Sequence, residues 1–498
     1  MPGVSISTAV RTGPVNAGLA PASTFFIVGE TARGIDTEAV AVTSLSEYTT
    51  AFGGYEANKY TYQQIRTFFE EGGSLAYIAR VTAAEGVAAS KALLVGVSDP
   101  GITLTAVGKG EWGNGAAGGL YVAVANESTY FNVTIYFGDD TADYIIYQGT
   151  GFNSLTDAIE SINSSTVLAN YCTATLTETA DPTDLLKDQA ATAFTSGDDD
   201  TVAESDFLDA LDFFSQELGA GAVAIPGLAD ATDDEDIYDA ILAHCVANNR
   251  IGLLSFAAGT DNGTAAGAST TYGDINNTNH EYLAFFHPWV KIPSGTGATL
   301  TVPPEGYAAA ARSRAHNRVG TWQPFAGAGS QARFITGIET VVNRTDGDAL
   351  DAARVNAIRV IEGTVRIYGA RSHSKNTTQW RFITHRDTMN FIVDRANIAL
   401  EPLVFSVING RRSVYADIAS ALKGVMEPIR IAGGLYEGFN ANGVQTDYGY
   451  SIKVDDSINP LTQLESGEIK AELGVRVSSV GDKITVTITK SNLTATLV

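Results

Sequence analysis

Only two cysteines, Cys172 and Cys245, occur in 498 residues, far apart and in unlike contexts. A disulfide framework or a zinc site needs more sulfur at closer spacing, so both read as buried thiols. No run of eighteen apolar residues exists, and a membrane helix is not expected. The opening Met1-Pro-Gly-Val-Ser-Ile-Ser has neither the basic nor the apolar region of a signal peptide, which predicts synthesis in a cytoplasm. Basic residues are scarce, 32 Lys and Arg against 56 Asp and Glu, for a net charge of −24. Nucleic acid needs a basic footprint and is not expected as a partner.

Catalytic signatures are missing as well. Gly108-Lys-Gly-Glu-Trp-Gly-Asn-Gly115 has the glycine density of a phosphate cradle. No Lys-Ser or Lys-Thr follows a glycine at P-loop spacing, so it reads as a glycine-rich turn between strands. His244, His280, His287, His316, His373 and His385 are scattered and form no His-Glu-x-x-His motif. There is no Gly-x-Ser-x-Gly elbow. The acidic clusters at 198–200 and 233–236 lack the order of an EF-hand and read as a solvated loop or a helix N-terminus. No catalytic residue, cofactor or metal ligand is assigned, and an enzyme is not expected.

What is present is strand, turn and glycine. A length of 498 residues predicts two to four domains. Val4, Ile6, Thr8 and Val10 alternate on one side of a strand, and Gly13-Pro14 then sets that strand apart. Residues 24–29 (TFFIVG) read as a buried strand, 39–43 as another, 60–73 as a helix and 76–81 as a strand. That β–β–α–β order begins an α/β domain. Between about 95 and 148 four alternating segments separated by Gly, Asn and Asp predict an inserted β-sandwich. The α/β texture resumes with a helix at 207–218, a strand at 222–225, a helix at 234–248 and a strand at 251–256. Residues 259–279 read as a long surface loop. Met389, Ile392, Ala396, Ala399 and Leu403 mark one helix near the end; Val414, Ile418, Ala421 and Val425 mark a second, with Ser413 as its N-cap. Tyr450, Ile452 and Val454 then alternate, as do Ile469 to Val477 and Ile484, Val486 and Ile488. The chain ends in strands, as it begins.

Charge is segregated. Residues 181–240 hold seventeen acidic residues and one basic, whereas 310–430 hold seventeen basic and ten acidic. Two readings fit: copies that meet acidic face to basic face, or a solvated acidic loop beside an Arg-rich domain. The segment 307–318 (YAAAARSRAHNR) likewise reads as a phosphate grip, a subunit contact, or an Ala-rich helix with a charged end.

A series of segments resembles the tail sheath protein of contractile bacteriophage tails. It opens with Pro2-Gly3-Val4 and Phe26-Ile-Val-Gly-Glu-Thr-Ala-Arg-Gly34, then Ala51-Phe-Gly-Gly54, Gly72-Gly73 and Tyr77-Ile-Ala-Arg-Val81. It continues with Trp112-Gly-Asn114, Ala224-Ile-Pro-Gly227, Pro288-Trp289, Val302-Pro-Pro304, Ala310-Ala-Arg312, Gly363 to Arg371 and Trp380-Arg-Phe-Ile383. The family's helical stretch near the end is represented here only by Phe405-Ser-Val-Ile-Asn-Gly410, and the closing strands run longer. The resemblance implies an α/β core of subtilisin-like topology without protease activity, at 22–92 and 203–358. It implies an inserted β domain at 93–202, an α+β C-terminal domain at 359–480, and extended terminal strands at 1–21 and 481–498. It implies subunits in six-fold rings, stacked helically around an inner tube, that contract to drive the tube through a host envelope. The implied partners are further copies, the tail tube protein, and baseplate and tail terminator proteins; the implied location is the sheath of a virion assembled in the host cytoplasm. Intersubunit strand pairing then falls to Val4, Ile6, Thr8, Val10, Ile484, Val486 and Ile488. Candidate tube-facing or subunit contacts are Arg386, Arg395, Arg411 and Arg412. An α/β nucleotide-binding protein or enzyme with a β insertion, and a surface-array protein, are the alternative readings.

Overall fold

In the computed structural model, which describes residues 23–57, 59–227, 235–275, 277–294 and 297–482, the segment Thr24–Gly29 is buried along its whole length. This strand, β1, has large apolar residues at consecutive positions because both of its faces are covered. Phe25 and Ile27 enter one core; Phe26 and Val28 enter another. β2 (Val40–Val42), α1 (Leu45–Phe52), α2 (Thr61–Glu70) and β3 (Ala76–Arg80) follow. The opening order is thus β–β–α–α–β, with one helix more than the sequence pattern suggested. Its start is a capped turn: the Ser44 hydroxyl accepts from the Glu47 N–H at 3.2 Å, and the Glu47 carboxylate accepts from the Thr43 N–H at 2.7 Å.

The next seven strands form two smaller sheets. β4 (Ser90–Leu94), β5 (Pro100–Ala106) and β9 (Cys172–Leu176) make one. β6 (Leu120–Asn126), β7 (Phe131–Phe137), β8 (Ile145–Phe152) and β10 (Gln189–Ala193) make the other, with α3 (Leu155–Asn163) against them. Alternating residues from both, among them Leu104, Val122, Val133 and Ala174, share one apolar core. β9 lies in a Thr-rich stretch, 172–183. The glycine-rich loop 108–115 turns between β5 and β6 and pins this body to the first strands. Arg80 donates to the carbonyls of Gly34 (2.7 Å) and Lys109 (2.8 Å). The Lys109 ammonium donates to the Ala84 carbonyl at 2.8 Å. Gly108 sits at φ 79°, and a Cβ there would lie 2.1 Å from the Gly34 carbonyl oxygen, so only glycine allows this approach.

Past the acidic loop comes α4 (Glu204–Asp209), which gives way to 3-10 turns at Ala210–Phe213 and Gln216–Leu218, not the single helix expected over 207–218. β11 (Gly221–Ala224), α5 (Glu235–Asn248), β12 (Ile251–Ser255), α6 (Asn262–Ile275) and β13 (Leu283–His287) then alternate. α6 overturns the surface loop expected over 259–279. Ala265, Ser269 and Tyr272 recur at helical spacing and are buried, although glycine and threonine dominate the segment. β14 (Val290–Pro293), β15 (Thr299–Val302) and β16 (Gly337–Ile338) form a small antiparallel sheet. α7 (Glu305–Arg318), α8 (Arg344–Ala352), β17 (Val355–Ile361) and β18 (Thr364–Ile367) complete the main body.

The main sheet runs β18-β17-β13-β12-β11-β1-β3-β2. Its six inner strands are parallel and its two edge strands antiparallel. α1, α2 and α7 cover one face; α5, α6 and α8 cover the other. The fold class is α/β. β17 spans the 358/359 limit read from sequence, and β4 spans the 92/93 limit.

α7 is the buried centre. Ala308 to Ala311 let it lie close on the sheet. Arg312 and Arg314 turn inward, which overturns the phosphate-grip reading for these two; the Ala-rich helix with a charged end is there, with Arg318 exposed in its last turn. Arg312 and Asp387 form a two-point ion pair, Nε to Oδ2 at 2.8 Å. Arg314 donates to the buried Glu71 carboxylate at 2.7 Å. That carboxylate also accepts the N–H groups of Phe334 (2.7 Å) and Ile335 (3.1 Å). Arg312 and Arg314 are therefore spent on internal pairs and are not part of a basic docking face.

Candidate assembly surface

The last part of the described chain is built differently. α9 (Ile383–Leu400) and α10 (Ser413–Ile431) form an antiparallel hairpin. Arg412, at φ 56°, occupies the N-cap of α10, and no side chain caps it; Ser413 is the first helical residue and not the cap. Val414, Ile418, Leu422, Met426 and Ile429 recur at spacings of four and three and form the buried face. Against them lie β21 (Tyr450–Lys453) and β22 (Glu472–Val475), joined through α11 (Leu461–Glu465), with the short hairpin β19 (Gly438–Phe439) and β20 (Gln445–Asp447) beside them.

Among the described residues β21 and β22 pair only with each other, in the register Tyr450↔Val475 to Lys453↔Glu472. Tyr450, Ile452, Leu473 and Val475 pack on the helices, while Ser451, Lys453, Glu472 and Gly474 face outward. The backbone of Arg476 bonds toward Gly449 (2.8 Å) and Tyr436 (2.8 Å), and the Ser478 N–H bonds the Gly434 carbonyl (3.0 Å), all on the β21 side. By the two-residue period of a strand, Leu473, Val475 and Val477 turn their N–H and C=O groups to the opposite edge. No strand covers that edge among the described residues. A two-stranded ribbon with a free edge is a template for another strand.

The first half of α9 ties the lobe to the main body. Asp387, on α9, holds Arg312 and lies 3.3 Å from His316. Burial pushes the Asp387 carboxyl up, but Arg312 and His316 outweigh it and hold the pKa down to about 2. Asn390 donates to the Arg250 carbonyl at 3.2 Å. Arg386 is half-buried, its guanidinium 4.4 Å from the Tyr282 ring centroid and 5.0 Å from that of Trp380. It fixes α9 against the main body. Arg395 is also half-buried, over the Phe391 ring at 5.1 Å. Arg411 and Arg412 are exposed on the loop before α10, and the Arg412 Nε donates to Asp456 at 2.7 Å. Val4, Ile6, Thr8, Val10, Ile484, Val486 and Ile488 lie outside the described residues. The loop also carries an exposed apolar group, Val404, Phe405 and Val407, with Phe405 fully exposed at φ 67°.

Elsewhere the titratable groups serve packing. The Nδ1 atoms of His280 and His373 lie 2.9 Å apart, and burial lowers their pKa values to about 4 and about 3. Both rings are neutral near pH 7. Cys172 and Cys245 are buried thiols, and burial raises Cys172 to about 12. Among the described residues no three His, Cys, Asp or Glu side chains gather as a metal site, and no helix is long and apolar enough to cross a membrane.

No family model matches the chain, and no curated protein does. Solved structures do. A sheath tail protein of Listeria innocua aligns over 87% of this chain and 89% of its own, at 12% identity and a TM-score of 0.62. The sheath of an extracellular contractile injection system, PVC, in its contracted state, aligns over 99% and 98%, at 13% identity and TM-score 0.55. This chain has the tail sheath fold. The helical sheath of the anti-feeding prophage, also contracted, aligns over 98% and 99%, at 15% identity and TM-score 0.53. With such coverage the sheath fold takes in the smaller sheets and the terminal lobe as well as the main sheet. The expectation that rested on scattered short segments is met at the level of fold.

Proposed function

We propose that this chain is the structural subunit of a contractile tail sheath, without catalytic activity. It polymerises as stacked hexameric rings around an inner tail tube and contracts to drive the tube through a host envelope. The observation that carries this reading is the ribbon edge at Leu473, Val475 and Val477, which no strand covers among the described residues, in a chain whose two ends both have strand periodicity. Val4 to Val10 and Ile484 to Ile488 of neighbouring copies supply the missing strands. A backbone ladder tolerates bending at Gly13, Pro14 and Gly18, so linked subunits can rotate and slide while pairing persists. Contraction is then a switch between two packings of nearly rigid subunits, driven by the burial of new intersubunit surface.

The remaining partners are the tube, baseplate and tail terminator proteins, and the location is the sheath of a phage-like particle assembled in the host cytoplasm. Arg395, Arg411 and Arg412 are the tube-facing candidates. The strand order and the buried α7 support a subtilisin-like topology for the main body. Sheet membership favours starting the inserted domain just before Ser90 and carrying the main body through Ile367. Electron microscopy of the purified chain tests the reading. Helical cylinders are expected from the full chain, and folded monomers from a chain lacking residues 1–15. Flat sheets would favour a surface array, and long tubes from the shortened chain would refute strand exchange by the N-terminal arm.

A further inference from the structure

A cavity of about 290 Å³ opens at the α11 end of the ribbon. That is far more than one water's share of about 30 Å³. Its walls include Val414, Leu461 and Leu464, and its rim carries the Arg412–Asp456 ion pair and Glu465. Tyr415 also lines it, is 6% exposed, and has a buried hydroxyl with no hydrogen-bond partner among the described residues. A buried hydroxyl left unpaired is costly, and because Tyr415 is one of the cavity's lining residues it points to a partner that arrives from outside. The same residues join the ribbon's own core, since Val414, Tyr415 and Leu464 pack with Ile452, Ile469 and Leu473.

Charge narrows the occupant. Residues 436–482 hold eight acidic and three basic residues, a net of −5, and Asp455, Asp456, Glu465, Glu468 and Glu472 are all exposed. Residues 483–498 carry Lys483 and Lys490 and no acidic residue, in a chain whose net charge is −24. Register narrows it further. An antiparallel strand that sets Ile484, Val486 and Ile488 opposite Val477, Val475 and Leu473 runs toward α11. Lys490 then falls opposite Ala471, and Leu493 follows about 10 Å further on.

We infer that this cavity is the anchor for residues 490–493 of a neighbouring copy: Lys490 pairs with Glu465, Leu493 fills the apolar walls, and a polar group of Ser491 or Asn492 satisfies Tyr415. The inference rests on the strand-exchange reading above. It adds what sets the register and polarity of the incoming strand, because backbone pairing by itself would accept a slip of two residues.

The test is a double variant, Glu465→Cys with Lys490→Cys, assembled from the full chain under mild oxidation; the native thiols are buried and give no background. A disulfide-linked ladder on a non-reducing gel is expected. Tubes without any cross-link, or a cross-link confined to single chains, would overturn the anchor while leaving the sheath reading intact. Failure of the unmodified chain to form tubes would overturn both. Two further variants separate anchoring from folding. Tyr415→Phe is expected to leave the melting temperature of the monomer unchanged, since its hydroxyl bonds nothing there, and to raise the critical concentration for assembly several-fold. Leu493→Ala is expected to raise that concentration roughly tenfold or more, the scale of one buried leucine. An unchanged critical concentration in both would contradict the anchor.

Discussion

The main sheet and the terminal ribbon are made from the same alternating apolar residues, yet one is finished and the other is not. Eight strands lie under helices on both faces, and the edge strands β2 and β18 are short. Among the described residues the ribbon has two strands, helices on one face, and backbone groups along an uncovered edge. Charges divide in the same way. In the main body Arg312, Arg314 and Glu71 are buried and paired. Around the ribbon Asp455, Asp456, Glu465, Glu468 and Glu472 are exposed. A subunit that must hold its shape while its contacts change needs both kinds of region: a rigid body, and an incomplete sheet that another copy completes.

The largest effect on the rigid side is expected at the rivet between them. Asp387→Ala leaves Arg312 buried without its partner and should cost about 3–5 kcal/mol, read by denaturant unfolding of the monomer. A loss under 1 kcal/mol would mean that α9 is not held by this pair. The Asp387 contribution itself is present at neutral pH and is lost as pH falls from about 4 toward its folded pKa of about 2.

A smaller effect, opposite in sign, is expected at Glu305. Burial raises its carboxyl to about 7, against 4.5 when unfolded, although the Ser255 hydroxyl donates to it. The folded state therefore holds a proton that the unfolded state releases, and stability falls as pH rises from about 4.5 to 7. Glu305→Gln should remove that slope and gain up to roughly 3 kcal/mol above pH 7. Parallel pH profiles for variant and parent would contradict this assignment. The smallest effect is expected in the lobe. Phe405→Ser changes a fully exposed side chain, so monomer stability should move by less than about 0.5 kcal/mol. Any larger change would show that this loop packs within its own subunit.

The sequence disclosed the finished region better than the unfinished one. TFFIVG at 24–29 can only be a strand covered on both faces, and the α9 and α10 stripes announce helices. α6 was hidden because its buried Ala265, Ser269 and Tyr272 sit among glycines and threonines that are common in loops. α1 was hidden although Ser44 and Glu47 form a cap at its start. The inward turn of Arg312 could not be read, since its partner Asp387 lies 75 residues away. Period two marked Ile469 to Val477 as a strand, of which Glu472–Val475 is one, but the way its edges turn depends on the pairing with Gly449 and Tyr436, which no local pattern encodes.

That edge offers the most direct measurement. Val475→Pro removes one N–H from the uncovered side, where proline is tolerated, and leaves the β21 ladder whole. Electron microscopy and sedimentation of the purified variant should show a folded monomer, with parent-like unfolding, that no longer forms tubes. Tubes as abundant as those of the parent chain would show that no strand is added at this edge.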